Sequence, residues 1–504
     1  MKCVVYQTHM EITPYYKGLF PDLELSLSKK DKPTHSLIPI GYYIDTKTKT
    51  LYIPRGVSIP YIRQLIGKDV EYSTDLIECE PIFRGNMVLP PKNKNQERAI
   101  DFLYQRGEFV NTVGYTQLGL NLPTGEGKTY CTINALVTQK RRAVIICHNT
   151  VIRDQWLTRF KEYTDIAPGM ILVIDGRNVL DSIINGKIDP LDYDYFLVLH
   201  QTLEAYACPR TRNYENDLMS ELEGEPVSND HWERIQTLFS KLKVFVKVFD
   251  EAHLYFENSL MLDYFTNVPM TYYLTATFGR SDPQQNRIYN QVYSRMLRFG
   301  EELEKKKHTI LFALMFDSNP TNADKRKVEH ANSYGFSAAN YMNYEIENST
   351  ALEDAIKYAL KCSERIQGTR IITSNTIASV EKFAELASEW YPDWRCQKVH
   401  SHMKDRDEID LEDVDLISCT SKYLGTGADI KGLRILIAAE PMASSINIEQ
   451  LIGRLRPYYN EDGEELETLM FLLVDVGFRS CRERFEKTRH VFQNIAKKCY
   501  IKYL

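Results

Sequence analysis

The first residues with usable chemistry form the run Leu118–Thr129, LGLNLPTGEGKT, set between an apolar segment and a helical stretch, Tyr130–Lys140. Gly125 and Gly127 let backbone amides turn inward on an anion with no Cβ in the way, and the start of the following helix adds positive partial charge. Lys128 is placed to reach the outer phosphates of a nucleotide and the Thr129 hydroxyl to ligate Mg2+, with Thr124 and Glu126 completing the loop. Leu122 departs from the strict G-x-x-x-x-G-K-[ST] spacing, standing where its first glycine would be. Such a site also needs a carboxylate for the metal-water shell and a group that positions the attacking water. Val244–His253, VFVKVFDEAH, supplies both, with Asp250 assigned to Mg2+ and Glu251 to the water.

Both groups require elements that bring them to one rim. From about residue 89 the sequence alternates short β-rich runs with helical stretches, the pattern of parallel strands joined by crossover helices. The expected strands are Leu118–Leu122, Ala143–His148, Phe196–His200, Val244–Phe249 and Tyr272–Thr275, and an amphipathic helix is expected over Val151–Tyr163. A polar piece, Arg298–His308, precedes a second alternation with strands at Thr309–Phe316, Arg370–Ser374, Leu416–Thr420, Leu433–Ala439 and Thr468–Val474. Residues 1–88 carry short Tyr-rich alternating segments, and Gly41–Arg55 reads as two strands around a polar turn. The chain thus divides into a small α+β accessory domain at 1–88 and two α/β domains at 89–300 and 301–504, the last ending in a basic helix.

Composition sets the outer limits. A chain of 504 residues with 43% hydrophobic and 26% charged residues exceeds one small binding module and excludes wholesale disorder. The strongest apolar run, Thr468–Val474, is too short for a membrane span, and the N-terminus lacks a signal-peptide core, so an intracellular, cytoplasmic protein with no membrane partner is expected. The ten cysteines show no metal-ligand spacing and read as reduced, mostly buried thiols. The net charge of −6 argues against a polyanionic partner until it is located. Glu215–Glu233 carries −7 and Lys404–Asp415 carries −5, so the rest of the chain carries +6. Both acidic runs read as inserted loops or solvated helices facing away from any bound strand.

Further segments complete a resemblance. Taken with the phosphate loop and the DEAH string, Tyr273–Thr277 (YLTAT), Val151–Trp156 (VIRDQW), Phe196–Leu203 (FLVLHQTL), Ile371–Asn375 (IITSN), Thr420–Leu433 (TSKYLGTGADIKGL) and Glu449–Pro457 (EQLIGRLRP) resemble the ordered motifs of superfamily 2 helicases over about residues 92–490. That resemblance implies two tandem RecA-like parallel-sheet domains and nucleic-acid-stimulated conversion of ATP to ADP and phosphate with Mg2+. It casts Gln96 as the adenine-reading residue, Gly427 and Asp429 as nucleotide sensors, and Arg454 and Arg456, with Gln450 beside them, as the arginine-finger segment. The fork of an arginine suits a γ-phosphate whose charge is redistributing. Here Arg456 follows Arg454 after one residue, where the family form leaves a longer gap. Arg153, Gln201, Thr202, Thr373, Ser374 and Thr420 fall at backbone-contacting positions, and His253, Thr275 and Thr277 at positions coupling hydrolysis to those contacts.

Within the superfamily, the short Q-L-I-G-R segment, the Gln-Trp pair and the small N-terminal domain resemble the DNA-dependent branch of restriction-enzyme motors and bacteriophage UvsW-type helicases. Val474–Arg489 (VDVGFRSCRERFEKTR) resembles the ending of the UvsW type. This implies a motor that closes on ATP between its two domains, opens on hydrolysis, and remodels branched DNA by fork regression, junction migration and strand displacement. It would work as a monomer on DNA alongside replication or recombination proteins, in the host cytoplasm if viral. An RNA helicase and a nucleotide-gated clamp without strand separation stay open as alternatives. Phosphate-backbone contacts imply little base specificity and marked salt dependence. The basic C-terminal stretch Arg479–Leu504 reads as either a solvated face or a duplex-binding surface, and Tyr341–Tyr344 as core or as a base-stacking group.

Overall fold

The computed structural model describes the chain apart from residues 32–34, 83, 123–124, 209–231, 276–277, 280–281, 301–306, 331–334, 401–402, 404–412, 426–429, 431, 444 and 460–462, and apart from the side chains of 422, 425, 445–447 and 450. By packing it separates into two compact units that divide near residue 303. The expected placement of the two acidic runs lies mostly outside the described residues.

In the first unit, β1 (Lys2–Val5), β2 (His9–Thr13), β3 (Tyr43–Asp45), β4 (Thr50–Pro54) and β5 (Glu71–Tyr72) form one sheet in the order β3-β4-β2-β1-β5, antiparallel except for β5. The accessory sheet is fastened to the α/β part that follows. The Tyr264 hydroxyl donates to Gly41 O at 2.9 Å and Gln7 N–H to Asn267 Oδ1 at 3.1 Å. Gly56 abuts the carbonyls of Gln291 and Val292, where a Cβ would collide with backbone.

The α/β part of this unit is a seven-stranded parallel sheet. Its strands are β6 (Gln117–Asn121), β7 (Ala143–Cys147), β8 (Ile171–Ile174), β9 (Tyr195–Leu199), β10 (Val246–Phe249), β11 (Met270–Thr275) and β12 (Leu297–Phe299), in the order β8-β9-β7-β10-β11-β6-β12. Both faces are covered by helices, and β7 shows the consequence of the two-residue strand period. Val144 and Ile146 enter one core while Ala143, Ile145 and Cys147 enter the other. All five expected strands are present. The sequence reading passed over β8, and it took Arg298 for part of a polar separator. Arg298 instead lies within β12, whose Phe299 is buried and stacks on Phe102 with ring centroids 5.5 Å apart.

The second unit repeats the design with β13 (Thr309–Phe316), β14 (Thr369–Ser374), β15 (Cys396–Val399), β16 (Leu416–Thr420), β17 (Leu433–Ala438), β18 (Thr468–Asp475) and β19 (Lys498–Tyr503), all parallel, in the order β15-β16-β14-β17-β18-β13-β19. The basic terminal stretch is a helix only over Arg479–Ile495; its last residues form the edge strand β19, whose alternation is masked in sequence by Lys498 and Lys502. Tyr341 and Tyr344 are buried and pack on Phe478, which removes them as base-stacking groups. The thiols are less uniformly buried than expected, with Cys362 and Cys499 exposed. Among the described residues no helix is long and apolar enough to cross a membrane.

One buried carboxyl in this unit makes stability depend on pH. Glu345, on the Ala338–Asn348 helix, is fully buried near Asp475, and burial followed by the Asp475 interaction pushes its pKa up to about 9. The folded chain therefore holds a proton that the unfolded chain releases above its ordinary value of 4.5. Stability falls as pH rises from that value and levels off above the folded pKa. Glu345→Gln should raise unfolding free energy by on the order of 3 kcal/mol at pH 7 and leave it unchanged at pH 4, as urea melts at the two pH values would show.

Candidate active site

Parallel α/β sheets place their loops for chemistry beyond the carboxyl ends of the strands, and the candidate residues of the first unit gather there. Three helices carry Gln96, Lys128, Thr129 and Arg153: α1 (Lys94–Tyr104), α2 (Lys128–Thr138) and α3 (Thr150–Tyr163). The phosphate loop leaves β6 and enters α2 with Gly125 at φ 89° and Gly127 at φ 90°, conformations that favour glycine. Lys128 opens α2, and its Nζ donates to Leu122 O at 3.0 Å, bridging the loop's entry and exit. Thr129 follows on the first turn of α2.

Gln96 is buried against this loop. The side chain of Asn93 caps α1 by accepting from Gln96 N–H at 2.9 Å, which fixes the start of the helix. The Gln96 side chain then accepts from Lys92 N–H at 2.9 Å and donates to Glu126 O at 3.1 Å. A Cβ at Gly127 would lie 2.5 Å from Gln96 Nε2, so Gly127 serves both backbone conformation and this close approach.

Asp250 stands just past β10 and is buried. Its Oδ2 accepts from Trp156 Nε1 at 2.7 Å and its Oδ1 from Glu251 N–H at 3.0 Å. Burial first, and the adjacent Glu251 charge second, raise the Asp250 pKa to about 6; the Trp156 bond and the Lys128 charge act the other way. Glu251 adopts a left-handed backbone with φ 47°, uncommon for a residue with a side chain. Its carboxylate lies 3.4 Å from His253 Nδ1, and the same nitrogen is 2.9 Å from Thr275 Oγ1 at the end of β11. The predicted water-positioning and coupling residues thus form one short chain, Glu251–His253–Thr275.

The donor set suits a nucleotide with its metal. Two positive-φ glycines bend the loop, a lysine and a hydroxyl residue begin the helix behind it, and the Asp250 carboxylate is close enough for the Lys128 charge to lower its pKa. Among the described residues no cluster of His, Cys, Asp and Glu offers a separate metal site.

The backbone-contacting candidates are less uniform. Gln201 is exposed, Thr202 half-buried, and Gln201 Nε2 lies 3.4 Å from the Tyr255 hydroxyl. Arg153 is buried on α3, its guanidinium tied to Asp154 at 2.9 Å and Asp175 at 3.2 Å. In the second unit, Thr373 and Ser374 close β14 with buried side chains, and Ser374 Oγ accepts from Ser379 Oγ at 2.7 Å. Thr420 ends β16, half-buried, accepting from Tyr423 N–H at 3.3 Å. Arg454 and Arg456 follow the Ser445–Ile452 helix on either side of the fully buried Leu455. Thr124, Thr277, Gly427 and Asp429 lie outside the described residues, as does the side chain of Gln450. Sequence reasoning passed over Trp156 as a member of the site. Its signal was present, since a buried indole N–H requires an acceptor.

Two α/β sheets with these loops at the carboxyl rim of the first form a tandem RecA-like fold. Residues 91–280 match the family described as "Type III restriction enzyme, res subunit", so the first α/β part is a ResIII helicase-family domain. Among individual proteins, the chain is similar to "Transcript termination protein A18" of Yaba-like disease virus, 23% identical over 442 residues that cover 83% of this chain and 77% of the relative. The fowlpox virus protein of the same name is 22% identical, covering 90% of this chain and 86% of its own length. In three dimensions the fold is similar to that of Dbp5 from S. cerevisiae, solved bound to RNA and ADP BeF3, with a TM-score of 0.50 at 13% identity over 81% of this chain and 89% of that one. T4 UvsW aligns over 100% of both chains at 14% identity, with a TM-score of 0.35.

Proposed function

We propose that this chain is an ATP-driven motor that moves along DNA and remodels branched DNA. The observation that carries the reading is the continuous constellation at one sheet rim: the Lys128 loop, the buried Asp250, and Glu251 joined through His253 to Thr275. Gly125, Gly127 and Lys128 cradle the phosphates, Thr129 and Asp250 hold Mg2+, and Glu251 orients the attacking water. Mg2+, when bound, neutralises charge on the phosphates. His253 and Thr275 pass the state of the site along the rim, where Arg153, Gln201 and Thr202 grip a phosphate backbone. Thr373, Ser374 and Thr420 grip it from the second α/β domain, and Arg454 or Arg456 supplies the finger. The divisions 1–88, 89–300 and 301–504 serve as accessory domain, ATP-binding motor domain and second motor domain.

A second reading is favoured by the relatives named for transcript termination. In it the same motor displaces an RNA strand from its DNA template. One substrate panel separates these possibilities, with ATPase and strand separation measured on a fork, a four-way junction, a tailed DNA duplex, an RNA–DNA hybrid and RNA alone. Stimulation by the fork and junction with strand displacement supports the branched-DNA reading. Release confined to the hybrid supports the second, turnover stimulated by RNA alone overturns the DNA assignment, and ATPase without any strand separation leaves a nucleotide-gated clamp.

A further inference from the structure

Trp156 joins two parts of the chain to which the sequence gives different tasks. It lies on α3, one helical turn beyond Arg153, so both side chains fall on neighbouring positions of that helix. Its ring is fully buried, and its N–H meets Asp250 Oδ2 at 2.7 Å while Glu251 N–H holds the other oxygen at 3.0 Å. With a donor on each oxygen, the carboxylate cannot turn about its own axis without losing a bond. One of those donors belongs to the neighbouring backbone and is fixed; the other rides on α3. The helix in turn is anchored where Asn149 caps it, its side chain accepting from Ile152 N–H at 2.8 Å, and where Arg153 reaches Asp175 at 3.2 Å. An indole suits such a link. It is rigid, and it donates without accepting, so it orients the carboxylate and cannot compete with it for a cation.

We propose that Trp156 is a positioning residue that transmits nucleic-acid binding at α3 to the metal-holding carboxylate Asp250. A polynucleotide phosphate near Arg153 competes with Asp154 and Asp175 for the guanidinium and shifts the helix. The indole carries that shift to Asp250, and the site holds its divalent cation differently with and without a strand. This rests on the motor reading above and adds to it a route by which the polynucleotide stimulates turnover.

Two replacements in the full chain test it. Trp156→Phe removes the donor and keeps an aromatic ring, and 3-benzothienylalanine at the same position removes the N–H while keeping the two-ring shape. Mn2+ binding is measured by electron paramagnetic resonance with a non-hydrolysable ATP analogue, with and without an oligonucleotide tested as DNA and as the same sequence in RNA; ATPase is measured in parallel. In the wild type, oligonucleotide should tighten Mn2+ binding. In either variant, Mn2+ affinity should fall about 10-fold, the scale for losing a hydrogen-bond partner of a ligating group. It should also stop responding to oligonucleotide, and the ratio of stimulated to basal turnover should drop towards one. Wild-type Mn2+ affinity with preserved stimulation in the benzothienyl variant overturns the proposal even where the phenylalanine variant does not fold. A wild type that no oligonucleotide stimulates overturns the motor reading and this proposal together, whereas a stimulated wild type with unaltered variants overturns this proposal alone.

Discussion

Lys128→Ala should lower polynucleotide-stimulated ATP turnover by about 10^3-fold, the scale for removing a positioned donor that stabilises developing charge. The geometry explains why one side chain carries so much. Lys128 opens α2 immediately behind the two positive-φ glycines, so its ammonium adds a full charge where the loop otherwise offers only backbone dipoles. Its ammonium donates to a loop carbonyl, Leu122 O, at 3.0 Å. Nucleotide binding, followed by fluorescence of a labelled ATP analogue, should weaken sharply. Turnover within a few-fold of wild type would remove Lys128 from the site.

Glu251→Gln is the second large expected effect and differs in kind. Glutamine keeps the length of the side chain but lacks the carboxylate that would orient and deprotonate water, so hydrolysis should slow by about 10^2–10^4-fold, the range for loss of a general base. Because the bond from Glu251 to Asp250 comes from its backbone N–H, Asp250 keeps both of its hydrogen bonds in the variant. ATP binding should thus persist, and single-turnover kinetics should show ATP retained uncleaved. The pair of variants separates binding from chemistry. Loss of nucleotide affinity in both would mean that Glu251 serves the shape of the loop instead.

Much of this was legible in the sequence because each motif combines a period with a punctuation mark. The run VFVKVFDEAH reads as a strand with its carboxylate at the end, and β10 stops one residue before Asp250. Likewise VIRDQW sits in a helix whose observed span, Thr150–Tyr163, nearly coincides with the expected one. What escaped was whatever depended on partners distant in sequence. The bond from Trp156 to Asp250 spans 94 positions, and no local pattern records it. Burial of Arg153 between two aspartates and of Tyr341 against Phe478 was hidden for the same reason, since a polar or amphipathic side chain shows its surroundings only once the sheet is assembled. Gln96 was found by its place ahead of the phosphate loop, yet its contact with the backbone of that loop emerged only from the fold.

The position of β13 bears on how the second α/β unit comes into being during synthesis. This strand is the first of its sheet to be made, yet both of its neighbours, β18 and β19, are the last. Thr309 meets Thr468 across 159 positions, and Ile310 pairs with Lys498 later still. As the chain emerges, β13 must remain unpaired while the helices and strands between are completed, and closure of the sheet is a late, non-local event. A ribosome paused before residue 468 would therefore hold an apolar strand, TILFALMF, with neither partner yet available, which makes this segment the natural client of a co-translational chaperone.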